Sequence, residues 1–437
     1  MPTPVECGHA RDGNLSFPAD GPEPIAVIGA GVIGSAIAWR LTREGHAVLL
    51  IDRAEPARAG ASFGNAGHIA CEQLTPLPSV RLLLSFWREL SVFDGPVHIP
   101  LRRVAALAPW LARFTAAALH QRRNTPALAA LVRPAAESLE RALRECGQAE
   151  LLVRRGHYSF WFGPRAPEKA AREALEASRL QVRTEAAPRE LTGALQRRSP
   201  GSVCGLWYPD SGHVLDPQSV AAAFVQAAVR SGARFQQSEV RQILPEEGRI
   251  VVRTDSRRLT VRAAVVCAGV QSAPLLRPFG LNAPLTAERG YHLELPGTAP
   301  LTEAPVVYAD EHIIVTPMRG RLRATSYLEF ERHGAPPDAR KLQRLRAALE
   351  RLGYTSETRH EGWVGSRPTL PDYLPGIGRA PGQAPLYYAI GHQHLGLTLA
   401  APTAEVIAAL VAGRDPPLDV RPLDLRRFGP HPRAARP

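Results

Sequence analysis

The sequence predicts an α/β protein with two units. One is a Rossmann-type dinucleotide-binding domain; the second is an α+β domain built on an antiparallel sheet. Three observations predict this. Residues 25–52, IAVIGAGVIGSAIAWRLTREGHAVLLID, hold a strand, a glycine turn, a helix and a second strand in order. Residues 284–325 alternate apolar and polar positions, as in sheets with one exposed face. At 437 residues the chain exceeds the usual single core.

Ile25-Ala26-Val27-Ile28 is apolar throughout, as a strand buried on both faces is. Gly29, Gly31 and Gly34 follow in a G-x-G-x-x-G spacing. Gly29 allows the tight turn, Gly31 lets a pyrophosphate approach the backbone, and Gly34 lets the next helix pack close. Ile33, Ile37 and Leu41 recur at helical spacing, and that helix aims free N–H groups at the phosphates. The second strand ends at Asp52, whose carboxylate suits a ribose 2′-hydroxyl and opposes the 2′-phosphate of NADP.

The net charge of +12 would raise nucleic acid as a partner. However, nearly all of it is arginine dispersed through the chain, with Lys169 and Lys341 the only lysines. Without a basic run or an aromatic-interleaved patch, nucleic acid is not expected. The five cysteines, Cys7, Cys71, Cys146, Cys204 and Cys267, show no metal-ligand spacing. Their odd number, with no secretory signal, fits a reducing, cytoplasmic compartment. No metal is expected. No segment has the length of apolar sequence that spans a bilayer.

Residues 1–24 read as a flexible extension and 415–437 as a loosely held tail. The stretch 60–70, GASFGNAGHIA, is a loop of small residues; it either lies against a flat ligand or is an ordinary connection. Residues 80–121 are Leu- and Arg-rich, with short helices expected between Gly95-Pro96, Pro100 and Pro109. Their apolar stripes face either a core or an anionic membrane surface. Residues 127–146 read as one long helix. Asp216 is placed to cap a helix that opens with Pro217. Strands are expected over 235–240, 249–254 and 259–267, the last running into Ala268-Gly269.

Five blocks then occur in a telling order: the glycine fingerprint, residues 62–67 (SFGNAG), Asp216-Pro217, residues 265–269 (VVCAG), and 365–368 (GSRP) with 391–396 (GHQHLG). In this the chain resembles the FAD-dependent D-amino-acid oxidase superfamily over roughly residues 25–413. It is most similar to the bacterial D-amino-acid dehydrogenases, including D-hydroxyproline dehydrogenase-like members, with glycine and sarcosine oxidases as cousins.

The resemblance implies a glutathione-reductase-like FAD-binding domain over 25–75, 205–275 and 363–414, and a substrate domain over 76–204 and 276–362. It implies FAD rather than NAD, held by Gly29, Gly31, Val32, Ile33, Gly34, Asp52 and Arg53. Ser62, Asn65, Ala66 and Gly67 would run beside it, with Val240 near the adenine and Ala268 and Gly269 at a strand end. Gly391, His392, Leu395, Gly396, Leu397 and Thr398 would border the flavin. No cysteine follows Cys267, so the FAD is expected to be noncovalent.

By the same resemblance Arg367 binds a substrate carboxylate through two charge-assisted hydrogen bonds. His394 stands where glycine oxidase-like members carry a second substrate-facing arginine; it would shape the pocket or accept a proton from the amine. Tyr291 is a further catalytic candidate, and His292 a weaker one. The family's other substrate-side tyrosine is best matched by Ile314, a departure. The implied reaction is oxidation of a D-amino or secondary amino acid to the imine, by hydride transfer from Cα to flavin N5. Oxygen, a quinone or a carrier protein would then accept the electrons, and a quinone would bring contact with the inner face of a membrane. The alternatives are a sarcosine/glycine-oxidase-like enzyme making hydrogen peroxide and a non-catalytic FAD-binding subunit.

Overall fold

A computed structural model describes residues 22–58, 60–90, 96–198, 201–354, 362–382 and 384–430. The expected N-terminal extension lies almost wholly outside the described residues. Two large sheets organise the chain. The first has six strands, in the order Arg234–Gln237, Val48–Asp52, Ile25–Ile28, Ala263–Val266, Leu386–Ile390 and Gly376–Arg379. The first five are mutually parallel and the last is antiparallel.

Alternation along the central strand decides what covers each face. Ile25 and Val27 point into a core shared with the helices Val32–Arg43, Pro217–Arg230 and Ala400–Val411. Ala26 and Ile28 point the other way, onto Ile243, Ile250 and Val252 of a three-stranded antiparallel sheet. Asp216 caps the Pro217 helix as expected, accepting the Ser219 N–H at 3.0 Å.

The second sheet has nine strands, eight on one path: Gly362–Thr369, Thr286–Pro296, Arg321–Phe330, Ile313–Met318, Val306–Tyr308, His157–Phe162, Val203–Tyr208 and Glu185–Ala186. It is antiparallel except where Val306–Tyr308 pairs with His157–Phe162 and where the ninth strand, Val97–His98, pairs with Arg321–Phe330. Val203–Tyr208 and Gly362–Thr369 both belong here, and each runs across an expected boundary, at 205 and 363. Apolar alternation alone does not say which sheet a strand joins.

Other expectations need correction. Pro109 does not break its segment: it lies inside the 19-residue helix Leu101–Leu119. The single helix expected over 127–146 is two, Gln121–Val132 and Ala135–Glu145, parted at Arg133 and Pro134; proline cannot donate the hydrogen bond that would carry the first into the second. Residues 60–63 form a short helix before the loop. The tail is docked as far as residue 430. Leu423 and Leu425 are fully buried, and Arg427 binds the Asp372 carboxylate at 2.6 and 3.2 Å.

Candidate active site

Strands Ile25–Ile28 and Ala263–Val266 release their chains side by side at their carboxyl ends, where ligands of open α/β sheets bind. A cavity of about 650 Å³ opens there. Gly29 has φ +108°, and a Cβ on it would sit 2.5 Å from the Cys267 carbonyl oxygen. A Cβ on Gly34 would sit 1.9 Å from the Gly29 oxygen. Both glycines therefore hold helix against strand, whereas Gly31 leaves its side facing the cavity and Ser62. The Ser62 hydroxyl accepts the Val32 N–H at 3.0 Å at the start of the helix. Asp52 is fixed by the N–H groups of Ala30 at 2.7 Å and Ala54 at 3.0 Å, with oxygen lone pairs left for a ribose.

Val32, Ile33, Arg53, Asn65, Val240, Ala268 and Gly269 also line this cavity, as do Gly391, His392, Gly396 and Leu397. Besides Gly34, four expected cofactor residues do not line this cavity. Ala66 lines the adjoining smaller cavity. Gly67 receives the Asn65 side chain on its N–H at 2.8 Å and is boxed in by Met318 and Val214. Leu395 is buried core. Thr398 accepts the Ala70 N–H at 3.2 Å. His392 lines the cavity but bonds to Thr403 at 3.1 Å; burial pushes it down to about 3, so it stays neutral. The wall also includes Arg58, Arg241, Gln271 and His333, which no sequence motif marks. A backbone-lined crevice with an acid at one end and an open helix start fits a dinucleotide.

The smaller cavity, about 50 Å³, shares Ala61, Asn65, Trp363, Gly365 and Gln393 with the larger one. Arg367 and His394 both reach it. Register brings Arg367 opposite Glu288 and Gly365 opposite Gly290. The Arg367 guanidinium lies across Gly290, where a Cβ would come within 2.1 Å of Nη2. Its Nη1 donates to Glu288 Oε1 at 3.2 Å. Glu288 is fully buried and also accepts from Thr369 at 3.3 Å and Tyr373 at 2.6 Å. The arginine is thus held in place while keeping donors for a ligand. His394 Nε2 pairs with Gln73 Oε1. Burial holds His394 down at about 4, with Arg367 pushing the same way and Glu288 opposing. Thr325 also lines the cavity, with its Oγ1 buried and unpartnered. Sequence reasoning missed it, although it pairs in register with Ile314.

Tyr291 also lines the smaller cavity. Its hydroxyl donates to Glu329 at 2.7 Å and accepts from the Asp338 N–H at 3.1 Å and from Arg289 at 3.3 Å. Its hydroxyl joins a buried ionic group of Arg289, Glu329 and Lys341. His292 stacks on Trp363 and bonds the Gly64 carbonyl at 3.0 Å, fixing the loop.

A second polar cluster lies beyond His394. His68 and Glu72 on one segment converge with His157 on another, and no spacing in the sequence marks them. Burial pushes Glu72 up to about 8 and His68 down to about 3.

The fold and crevice define a dinucleotide-dependent enzyme whose cofactor edge is closed by a second sheet. The chain matches the family described as FAD dependent oxidoreductase over residues 24–410, and it belongs to that family. It is therefore an FAD-dependent oxidoreductase. It is 29% identical to a D-amino-acid oxidase of Bradyrhizobium diazoefficiens, over 92% of this chain and 98% of that one. It is 30% identical to a D-amino acid dehydrogenase of Paramagnetospirillum magneticum, with 92% and 98% covered. Glycine oxidase from Geobacillus kaustophilus has the same fold, with TM-score 0.70 and 22% identity over 93% of this chain and 99% of that one.

Proposed function

We propose that this chain oxidises a D-amino acid, or a secondary amino acid such as D-hydroxyproline, to its imine. The observation that carries the reading is Arg367, a buttressed guanidinium at a small cavity adjoining the cofactor crevice. The names of the curated relatives support the substrate class. Arg367 binds the carboxylate and fixes which hydrogen on Cα faces the cofactor. The missing side chain of Gly290 makes room for the Arg367 guanidinium, and that of Gly365 for the Trp363 ring. His394, neutral and bonded through Nε2, offers Nδ1 as an acceptor for an amine proton. Thr325 supplies a hydroxyl to a polar substituent. FAD, held noncovalently by the crevice residues, supplies the two-electron acceptor.

The test is anaerobic: record the visible spectrum, then add D- and L-amino acids, D-hydroxyproline and sarcosine. Bleaching by D-substrates supports the reading. Bleaching by sarcosine with peroxide in air points to an amine oxidase. A yellow protein that nothing bleaches points to an accessory subunit.

Exposed apolar side chains favour a membrane-bound quinone as the acceptor. Leu84 is 77% exposed and Leu101 92%, with Leu77, Val80 and Val104 on the same stretch of chain. No helix among the described residues is long and apolar enough to cross a membrane, so contact would be peripheral, at the cytoplasmic face. Flotation with anionic vesicles that is unchanged in Leu84→Asp/Leu101→Asp would remove this idea.

A further inference from the structure

We propose that His68, Glu72 and His157 form a binding site for a divalent transition cation of the zinc class, separate from the flavin crevice. Their ligand atoms all lie within 4.8 Å of one another. Glu72 Oε2 is 3.9 Å from His157 Nδ1, while tetrahedral zinc holds nitrogen and oxygen ligands about 3.3 Å apart. Small side-chain rotations close that gap. Two imidazoles with one carboxylate suit zinc-class cations rather than calcium or magnesium.

An independent observation points the same way. His68 Nε2 and Glu72 Oε2 are buried without a hydrogen-bond partner. So is Nδ1 of His213, which is 1% exposed and sits directly opposite His68 in the strand pairing. Two orphaned polar atoms on the candidate ligands themselves are a costly arrangement unless a ligand satisfies them. A water would complete the set. The outer shell is present as well. His157 Nε2 lies 3.4 Å from Ser159 Oγ, which can accept its proton when Nδ1 ligates. The Ser211 hydroxyl, now 2.7 Å from that Nδ1, would turn aside. Tyr208 stacks on the His157 ring at 4.4 Å and holds its plane. The Glu72 side chain keeps 16% exposure, which gives the ion a way in.

The ligands come from different parts of the fold. His68 and Glu72 follow the loop at the cofactor crevice, whereas His157 opens a strand of the nine-stranded sheet. The cation would therefore clamp the crevice loop to the substrate-side sheet and take no part in electron transfer.

The test uses the full-length, FAD-loaded protein, freed of any histidine tag and treated with chelator. Zinc is titrated against a chromophoric chelator, and cobalt is followed by absorption to the red of the flavin. One ion per chain is expected, with a dissociation constant below about 1 µM and a tetrahedral cobalt spectrum. His68→Ala and Glu72→Gln should each weaken binding about 100-fold or more while FAD content stays unchanged. Weak or non-stoichiometric binding would mean a cluster satisfied by water and would overturn the proposal. Tight binding that survives both substitutions would do the same. If His68→Ala loses FAD, the near-isosteric Glu72→Gln decides; if both do, the wild-type cobalt spectrum decides, an octahedral one refuting the site.

Discussion

Replacing Arg367 by methionine removes two things at once. The substrate carboxylate loses two charge-assisted hydrogen bonds, each worth about 1.5–3 kcal/mol, so kcat/KM should fall by roughly 10² to 10⁴. The fold loses the counter-charge of Glu288, which is fully buried against an arginine only 18% exposed. Leaving one member of such a pair costs about 3–5 kcal/mol, here toward the lower value because Thr369 and Tyr373 still donate to the acid. The two effects separate in the variant Arg367→Met/Glu288→Gln. It should recover most of the stability, since no unpaired charge remains, and none of the activity. Stability is read by urea unfolding of the FAD-loaded protein, and activity by stopped-flow flavin bleaching against substrate concentration. If the double variant regained both stability and bleaching, Arg367 would be only a structural partner of Glu288, and the carboxylate anchor would be lost.

Three further outcomes are expected. Gly290→Ala puts a methyl group where Arg367 Nη2 lies; the side chain can swing aside, so unfolding should shift little while KM for the amino acid rises at least about tenfold. Tyr291→Phe should cost about 1–3 kcal/mol of stability, read by urea unfolding, because the Glu329 and Asp338 groups lose their partner. Its bleaching rate should stay within roughly threefold of wild type, and a larger loss would place Tyr291 in the catalytic group. Burial holds His292 and His392 at about 3, below their ordinary 6.5. The unfolded chain therefore takes up their protons first, and the stability present above pH 6.5 is lost as pH falls toward 3. Between pH 7 and 5 the loss should be on the order of 4 kcal/mol, and urea midpoints that do not move across that range would contradict it.

The cofactor crevice was legible because its chemistry is local. Strand, glycines, helix and acid occupy residues 25–52, and the short apolar strands could only be buried ones. The catalytic side was legible only in part. Arg367 stood out through its block, but its dependence on Glu288 arises from strand pairing across 79 residues. Tyr291 was legible as a residue of the small cavity, but its hydrogen bonds to Glu329 and Asp338 depend on contacts that no local pattern shows. Thr325 and the His68, Glu72 and His157 cluster left no trace, since each needs contacts made by the whole fold. Pro109 misled because proline weakens a helix without forbidding one where packing through Trp110 and Phe114 compensates.

The docked tail has a consequence for the order in which the protein can assemble on the ribosome. The six-stranded sheet recruits strands from residue 25 to residue 390, and its lower rim is closed by Leu425, packed under Gly376 and bonded through its N–H to the Tyr388 hydroxyl at 3.1 Å. The first two strands therefore emerge with open edges and must wait through more than 200 residues of synthesis for the partner at Ala263–Val266. Until residue 428 has left the exit tunnel, the sheet that holds the cofactor has an unsealed side. During translation the first two strands therefore expose unpaired edges, and Leu425 can close the rim only after the last strand of the sheet has been made.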